Sequence, residues 1–196
     1  MSHGYHAAMD GITWAASAMV AARARLDIAT HNLANTSSDG FRRTAARGSL
    51  DPRGVRITEV RSNAQGPLRR TGRPFDLAIV GSGTFSVRDA RGVVAETRNG
   101  SFTRDPNGFV RDDGGRVLLA RGVPLRLGSG EQIGERSDIV PGASVRSGFL
   151  EASDVDAVSE MIDVLTAQRS FESAQKVVSA IDQTRQKASN ELARLK

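Results

Sequence analysis

At 196 residues, with 39% apolar content, 5% aromatics and 20 glycines, the chain is long enough for one or two domains with real cores, and matches neither collagen nor wholesale disorder. It contains no cysteine, which excludes thiol catalysis, cysteine-bound zinc and disulfides together. The net charge of +5 sits in the middle: residues 42–126 hold 17 arginines against 8 acids, dispersed between turns rather than along a groove-reading helix, which argues against nucleic acid as a partner.

Residues 1–7 carry His3 and His6 ahead of any periodicity and read as a loose arm. This start lacks the basic and apolar regions of a secretory signal, so a different route is expected if the protein leaves the cytoplasm. The two histidines, with His31 far along the chain and no cysteine, make a poor ligand set; no metal and no other cofactor is expected. From about Asp10 a helix is predicted, because Ile12, Ala15, Met19, Ala22, Leu26, Ala29 and Leu33 step by three and four. Thr30 to Asn35, followed by Thr36-Ser-Ser-Asp-Gly40, gathers side chains that bond their own backbone, so the helix ends and the chain turns. Asn32 and Asn35 lie almost one turn apart, placed to bond backbone across that terminus or a neighbouring helix.

The middle reads as antiparallel β structure. Val55 to Arg61 alternates with the period of a half-buried strand, and Gly66-Pro67 turns the chain. Phe75 to Val80 is expected as a buried strand, then a Gly81-Ser-Gly83 bend, then a strand facing Phe85 and Val87 inward. That Gly-x-Gly runs into strand rather than a helix N-terminus, so a phosphate loop is set aside. Asp105-Pro-Asn-Gly108 and Asp112-Asp-Gly-Gly115 are hairpin turns between strands Ser101–Arg104, Phe109–Arg111 and Arg116–Ala120. Residues 128–148, rich in Gly and Ser, read as a return linker.

From Asp154 to Lys196 one amphipathic helix is predicted, roughly 60 Å long at 1.5 Å per residue. Its seam runs through Val155, Val158, Ile162 and Leu165, then Phe171, Ala174, Val178, Ile181, Ala188, Leu192 and Leu195. Ser153 or Asp154 is the expected N-cap, with Asp156 in the first turn. Gln168, Arg169 and Arg185 are polar residues on the seam, of the kind that set register or partner. The second stripe outreaches the first by about half, and the surplus apolar surface points toward other chains. No stretch approaches the ~20 apolar residues of a membrane span, so no membrane insertion is expected.

The expected fold is therefore α+β, with long N- and C-terminal helices packing as a coiled-coil-like pair and enclosing a central antiparallel β domain. Residues 1–45 and 150–196 form a discontinuous helical assembly domain; 46–149 form the β domain and its return linker. No catalytic constellation is found: there is no nucleophile elbow, no Walker loop and no His-Glu-x-x-His. The acid pairs Asp112-Asp113 and Asp154/Asp156 are accounted for by turns and capping. The chain is read as no enzyme.

Several stretches are more particular than physics alone requires. Ala29 to Arg43, with Asn32-Leu33-Ala34-Asn35 and then Gly40-Phe41, closely resembles the signature of the bacterial flagellar rod and hook family. Phe75-Asp76-Leu77-Ala78-Ile79, followed by Gly81, Gly83 and Phe85, resembles that family's second hallmark, and Thr97-Arg-Asn-Gly-Ser-Phe102 resembles a third. Leu150-Glu-Ala-Ser-Asp-Val-Asp156, Glu160-Met161, Ala167-Gln-Arg-Ser-Phe171 and Lys176 are similar to its C-terminal segment, with Asp154 where the family carries Asn.

The resemblance implies a structural subunit of the flagellar basal-body rod, polymerising through its terminal helices into a tubular torque-transmitting shaft. Implied partners are further copies of itself, other rod and hook proteins and the flagellar type III export apparatus. The implied location is the basal body, extracytoplasmic after export. Within the family, the Phe75 to Ile79 stretch points away from the shortest rod proteins, and the lack of a large insertion points away from the hook protein. The distal rod type is preferred over its proximal neighbour. A monomeric or small-oligomer regulatory or binding module, its helices folded into an intramolecular hairpin, is the alternative.

Overall fold

The computed structural model describes residues 11–51, 54–128, 130–131, 133 and 138–194, without the side chains of 189 and 192–194. His3, His6, Asp10 and Leu195, and the side chain of Leu192, lie outside the described residues. Among the described residues the architecture is α+β, with two helices and antiparallel strand pairs. The chain divides into two compact units, drawn from Met1–Leu33, Thr44–Arg61 and Asp156–Lys196, and from Ala34–Arg43 and Ser62–Val155.

In the first unit, α1 spans Gly11–Ala34, and its alanine-rich sequence favours helix. Strands β1 (Thr44–Asp51) and β2 (Gly54–Arg61) form a hairpin in register from Thr44↔Arg61 to Asp51↔Gly54. Helix α2 spans Ala157–Arg194, 38 residues without Pro or Gly. Its N-cap is Asp156: the Val158 and Ser159 N–H groups donate to that carboxylate at 3.4 and 3.2 Å, and the Ser159 hydroxyl at 2.5 Å. These bonds, the Ser159 hydroxyl's first, hold Asp156 below the usual carboxylate range. The helix thus starts three residues later than the sequence suggested, and Val155 precedes it.

In the second unit, short strands follow one another: β3 (Leu68–Arg70), β4 (Leu77–Val80), β5 (Phe85–Arg88), β6 (Val94–Thr97), β7 (Phe102–Arg104), β8 (Val110–Asp112), β9 (Val117–Ala120), β10 (Val123–Pro124), β11 (Ser144–Ser147) and β12 (Phe149–Glu151). The main sheet runs β6-β5-β9-β8-β7, with β10 on β9; β11 pairs β4 and β12 pairs β3. The core gathers Leu77, Ile79, Phe85, Val87, Phe102, Val110 and Leu118, with the Phe85 and Phe102 rings edge to face at 5.3 Å. Asp105 and Asp112 turn the hairpins by accepting from the N–H groups of Phe109 and Arg116, each at 2.8 Å.

Within 128–148, which the sequence reads as a return linker, β11 pairs β4, and Ile133, Ile139, Val140 and Val145 enter the core. The β1–β2 hairpin falls in the first compact unit together with the helical segments.

Candidate assembly interface

The first unit is organised around a buried polar node. Asn32, in the last turns of α1, is fully buried; its Nδ2 donates to the Thr44 carbonyl at 2.7 Å and to Glu160 Oε2 at 3.1 Å, and its Oδ1 accepts from the Thr44 N–H at 3.0 Å. Both amide hydrogens and the amide oxygen are thereby used, which is what burial of a primary amide demands. Glu160, one turn into α2, is equally buried. Along α1, the predicted seam residues Ala15, Ala22 and Ala29 are buried, and Ile12, Met19, Leu26 and Leu33 are half-buried. Trp14 and Val20 stand exposed on the same helix.

On α2 the predicted C-terminal seam separates into two faces. Phe171, Val178 and Ile181 are half-buried and Ala174 is buried; continuing their spacing upward leads to Ala167, Val164, Glu160 and Ala157, all buried or half-buried. The predicted residues of the upper half lie roughly 150° around the helix from that face. Val158 is 65% exposed, Ile162 58% and Leu165 56%, joined by Met161 at 53%. Gln168 and Arg169 are exposed as well. The face through Glu160, Val164 and Ala167 is hidden in the sequence because a charged residue holds one of its inner positions. Its signal is the unbroken alternation of three and four from Ala157 to Ile181, where the predicted seam jumps six residues, from Leu165 to Phe171.

In the second unit some of the remaining motif residues meet around a buried ion pair. Arg98 Nε lies 3.3 Å from Glu151 Oε2, and both side chains are buried. Arg98 Nη2 donates to the Gly81 carbonyl at 2.8 Å, and Glu151 Oε1 accepts from the Gly66 N–H at 3.2 Å. Burial pushes the Glu151 carboxyl up, against the opposing pull of the Gly66 N–H and the Arg98 charge; burial likewise lowers Arg98. The turn after α1 joins this node, since the Gly40 N–H donates to the Glu151 carbonyl at 2.6 Å. Within that turn Asn35 Oδ1 accepts from the Ser38 hydroxyl, while the Phe41 carbonyl accepts from the Asp154 N–H and the Asp154 carboxylate accepts from the Arg43 N–H. A carboxylate at 154 performs the acceptor half of what an Asn would do there.

Gly40 holds φ +69°, and a β-carbon there would stand 2.3 Å from the Arg98 carbonyl carbon, so only glycine fits. The second hallmark fills the core: Leu77, Ala78 and Ile79 are buried in β4, Phe85 in β5, and Phe75 is packed against them. Asp76 accepts from Arg73 Nε at 2.8 Å, and its carbonyl accepts from the Gly148 N–H. A β-carbon on Gly83 would stand 2.5 Å from Val140 Cγ1, whereas Gly81 has open space and supplies its carbonyl to Arg98. These residues are structural in their setting. Among the described residues no group of three His, Asp or Glu is arranged to hold a metal, and no helix is long and apolar enough to cross a membrane.

Comparison with known proteins converges on the same segments. The family model for flagella basal body rod proteins matches residues 12–42, and the model for the C-terminal region of the flagellar basal body rod FlgEFG proteins matches residues 146–191. The chain is similar to the flagellar basal-body rod protein FlgF of Rhizobium meliloti, at 31% identity over 215 residues covering 83% of this chain and 89% of that protein. It is also similar to FlgF of Mesorhizobium japonicum, at 29% identity covering 83% and 89%, and to the rod protein FlgG of Caulobacter vibrioides, at 27% covering 92% and 98%. The alignment with FlgG spans 258 positions, so that relative carries residues this chain lacks. With both helical ends, the motif-bearing core and these relatives in agreement, the chain belongs to the family of flagellar basal-body rod proteins, structural subunits of the bacterial flagellum's basal body.

Proposed function

We propose that the chain polymerises through its terminal helices into a tubular, torque-transmitting shaft. One observation carries this: α2 buries one apolar face within its own chain and presents a second, through Val158, Met161, Ile162 and Leu165, to solvent. A stripe of that kind suits burial between subunits. The segments 1–45 and 150–196 act as the assembly domain, their helices pairing antiparallel in coiled-coil fashion, while 46–149 adds lateral contacts. Two contacts support the pairing. Asn32 meets Glu160, and a β-carbon on Gly11 would stand 3.4 Å from Ile181 Cδ1, so the contacts are 21 residues apart along either helix. The neighbours are further copies, other rod and hook proteins and the flagellar type III export apparatus; the subunit works as structure and not as a catalyst, and of the rod types the distal one is preferred.

The test replaces the exposed stripe by Ile162→Ser with Leu165→Ser and follows the full chain into isolated basal bodies. The unaltered chain is recovered there; the variant folds, by circular dichroism, but is missing. Recovery of the variant at the unaltered level counts against the shaft. The alternative of a monomeric module is favoured by the Asn32–Glu160 bond, which a single chain makes unaided. Unaltered chain that stays monomeric at high concentration and is missing from basal bodies would favour that module.

A further inference from the structure

We infer that the groove between α1 and the β1–β2 hairpin receives the exposed α2 stripe of a second copy of this chain; this rests on the polymer reading above. The groove measures about 310 Å³, and its apolar lining is Val20, Ala21, Ala24, Val55 and Ile57, from α1 and the hairpin alone. Val20 is 70% exposed within it. Its polar rim residues Asp51 and Arg56 face each other at 3.5 Å, so the groove offers a small ligand little to bind beyond aliphatic surface. Aliphatic concavity fits an aliphatic ridge.

The ridge is on the same chain. Val158, Met161, Ile162 and Leu165 occupy one turn-to-turn line on α2, and none of them lines the groove of its own chain. Area agrees with this occupant. The four side chains expose roughly 400 Å² of apolar surface, the size of the largest patch on an ordinary monomer and about half of the ~800 Å² per partner of a stable pair. One such contact does not hold two copies together, but repeated along a polymer it accumulates. A ridge meeting a groove is a heterologous contact, which leaves one ridge and one groove free at the ends and therefore propagates.

The absence of cysteine permits a direct test. Full-length chains carrying Val20→Cys with Ile162→Cys, or either change alone, are assembled into basal bodies and treated with a short bismaleimide. The double variant should give a ladder of covalent multimers and each single variant only monomer. Ala24→Cys with Leu165→Cys repeats the test should the first pair disturb assembly. A dimer band from Ile162→Cys alone means that ridges meet each other, and overturns the inference while leaving the polymer intact. Chains recovered in basal bodies that give no ladder from either double variant overturn it equally. Chains missing from basal bodies altogether, the unaltered one included, sink the polymer reading and this inference with it.

Discussion

The side-chain amide of Asn32 pairs with the Thr44 backbone as a neighbouring strand would, giving to its carbonyl at 2.7 Å and taking from its N–H at 3.0 Å. A helix residue thereby completes the ladder position at the start of β1. Asn32→Ala removes this pairing and strands the Thr44 groups and one contact of Glu160 in the interior. The expected loss is about 3 kcal/mol in the first unit, since each buried group left unsatisfied costs about 1–3 kcal/mol. Asn32→Asp is expected to be worse, because it gives up the donors and sets a second carboxylate beside Glu160. Denaturant unfolding followed by the far-UV helix signal measures both.

Glycine 40 gives a second expectation. Gly40→Ala combines φ +69° with a β-carbon 2.3 Å from backbone, whereas Gly72→Ala has φ +75° and open space. The first should destabilise the second unit by more than ~3 kcal/mol and the second by only about 1 kcal/mol, the cost of left-handed backbone alone. Thermal unfolding of the two variants side by side isolates the steric part.

The Arg98–Glu151 pair predicts an unusual pH dependence. Because burial holds the folded Glu151 carboxyl above its unfolded value of 4.5, the native form retains that proton to higher pH. Its contribution to stability is present in full below pH 4.5 and is lost as pH rises through the folded value. Urea midpoints should carry this slope in the unaltered chain and lose it in Glu151→Gln. Arg98→Met leaves an unpaired buried carboxylate and should cost about 3–5 kcal/mol at neutral pH, shrinking as acid neutralises Glu151.

The two faces of α2 should respond in opposite ways. Phe171→Ala, on the packed face, is expected to destabilise the first unit by about 2 kcal/mol. Leu165→Ser, on the exposed ridge, should leave monomer stability within about 0.5 kcal/mol and reduce assembly. Unfolding and sedimentation of the same two proteins separate folding from polymerisation.

How much of this was legible follows from how local each signal is. The turns at Asp105 and Asp112 were readable because the carboxylate, the glycine and the flanking alternation all lie within a few residues. The core strand from Leu77 to Val80 was readable as an uninterrupted apolar run. The α2 faces were not separable, since both step by three and four, and Glu160 interrupts the inner one with a charge whose partner is 128 residues away. Arg98 and Glu151 hid for the same reason: a buried ion pair has no signature until topology brings its halves together. In 128–148 the glycines and serines masked Ile133, Ile139 and Val145, which reach the core singly and so carry no period.

The bond from Asn32 to Glu160 ties one helix to the other at a single axial height. Sliding α2 along α1 by even one turn would drag a carboxylate and an amide out of mutual reach and into hydrocarbon, so greasy contacts that would tolerate slippage are denied it. In the proposed shaft, which hands rotation from one end to the other, such a bond serves as the key in a keyway.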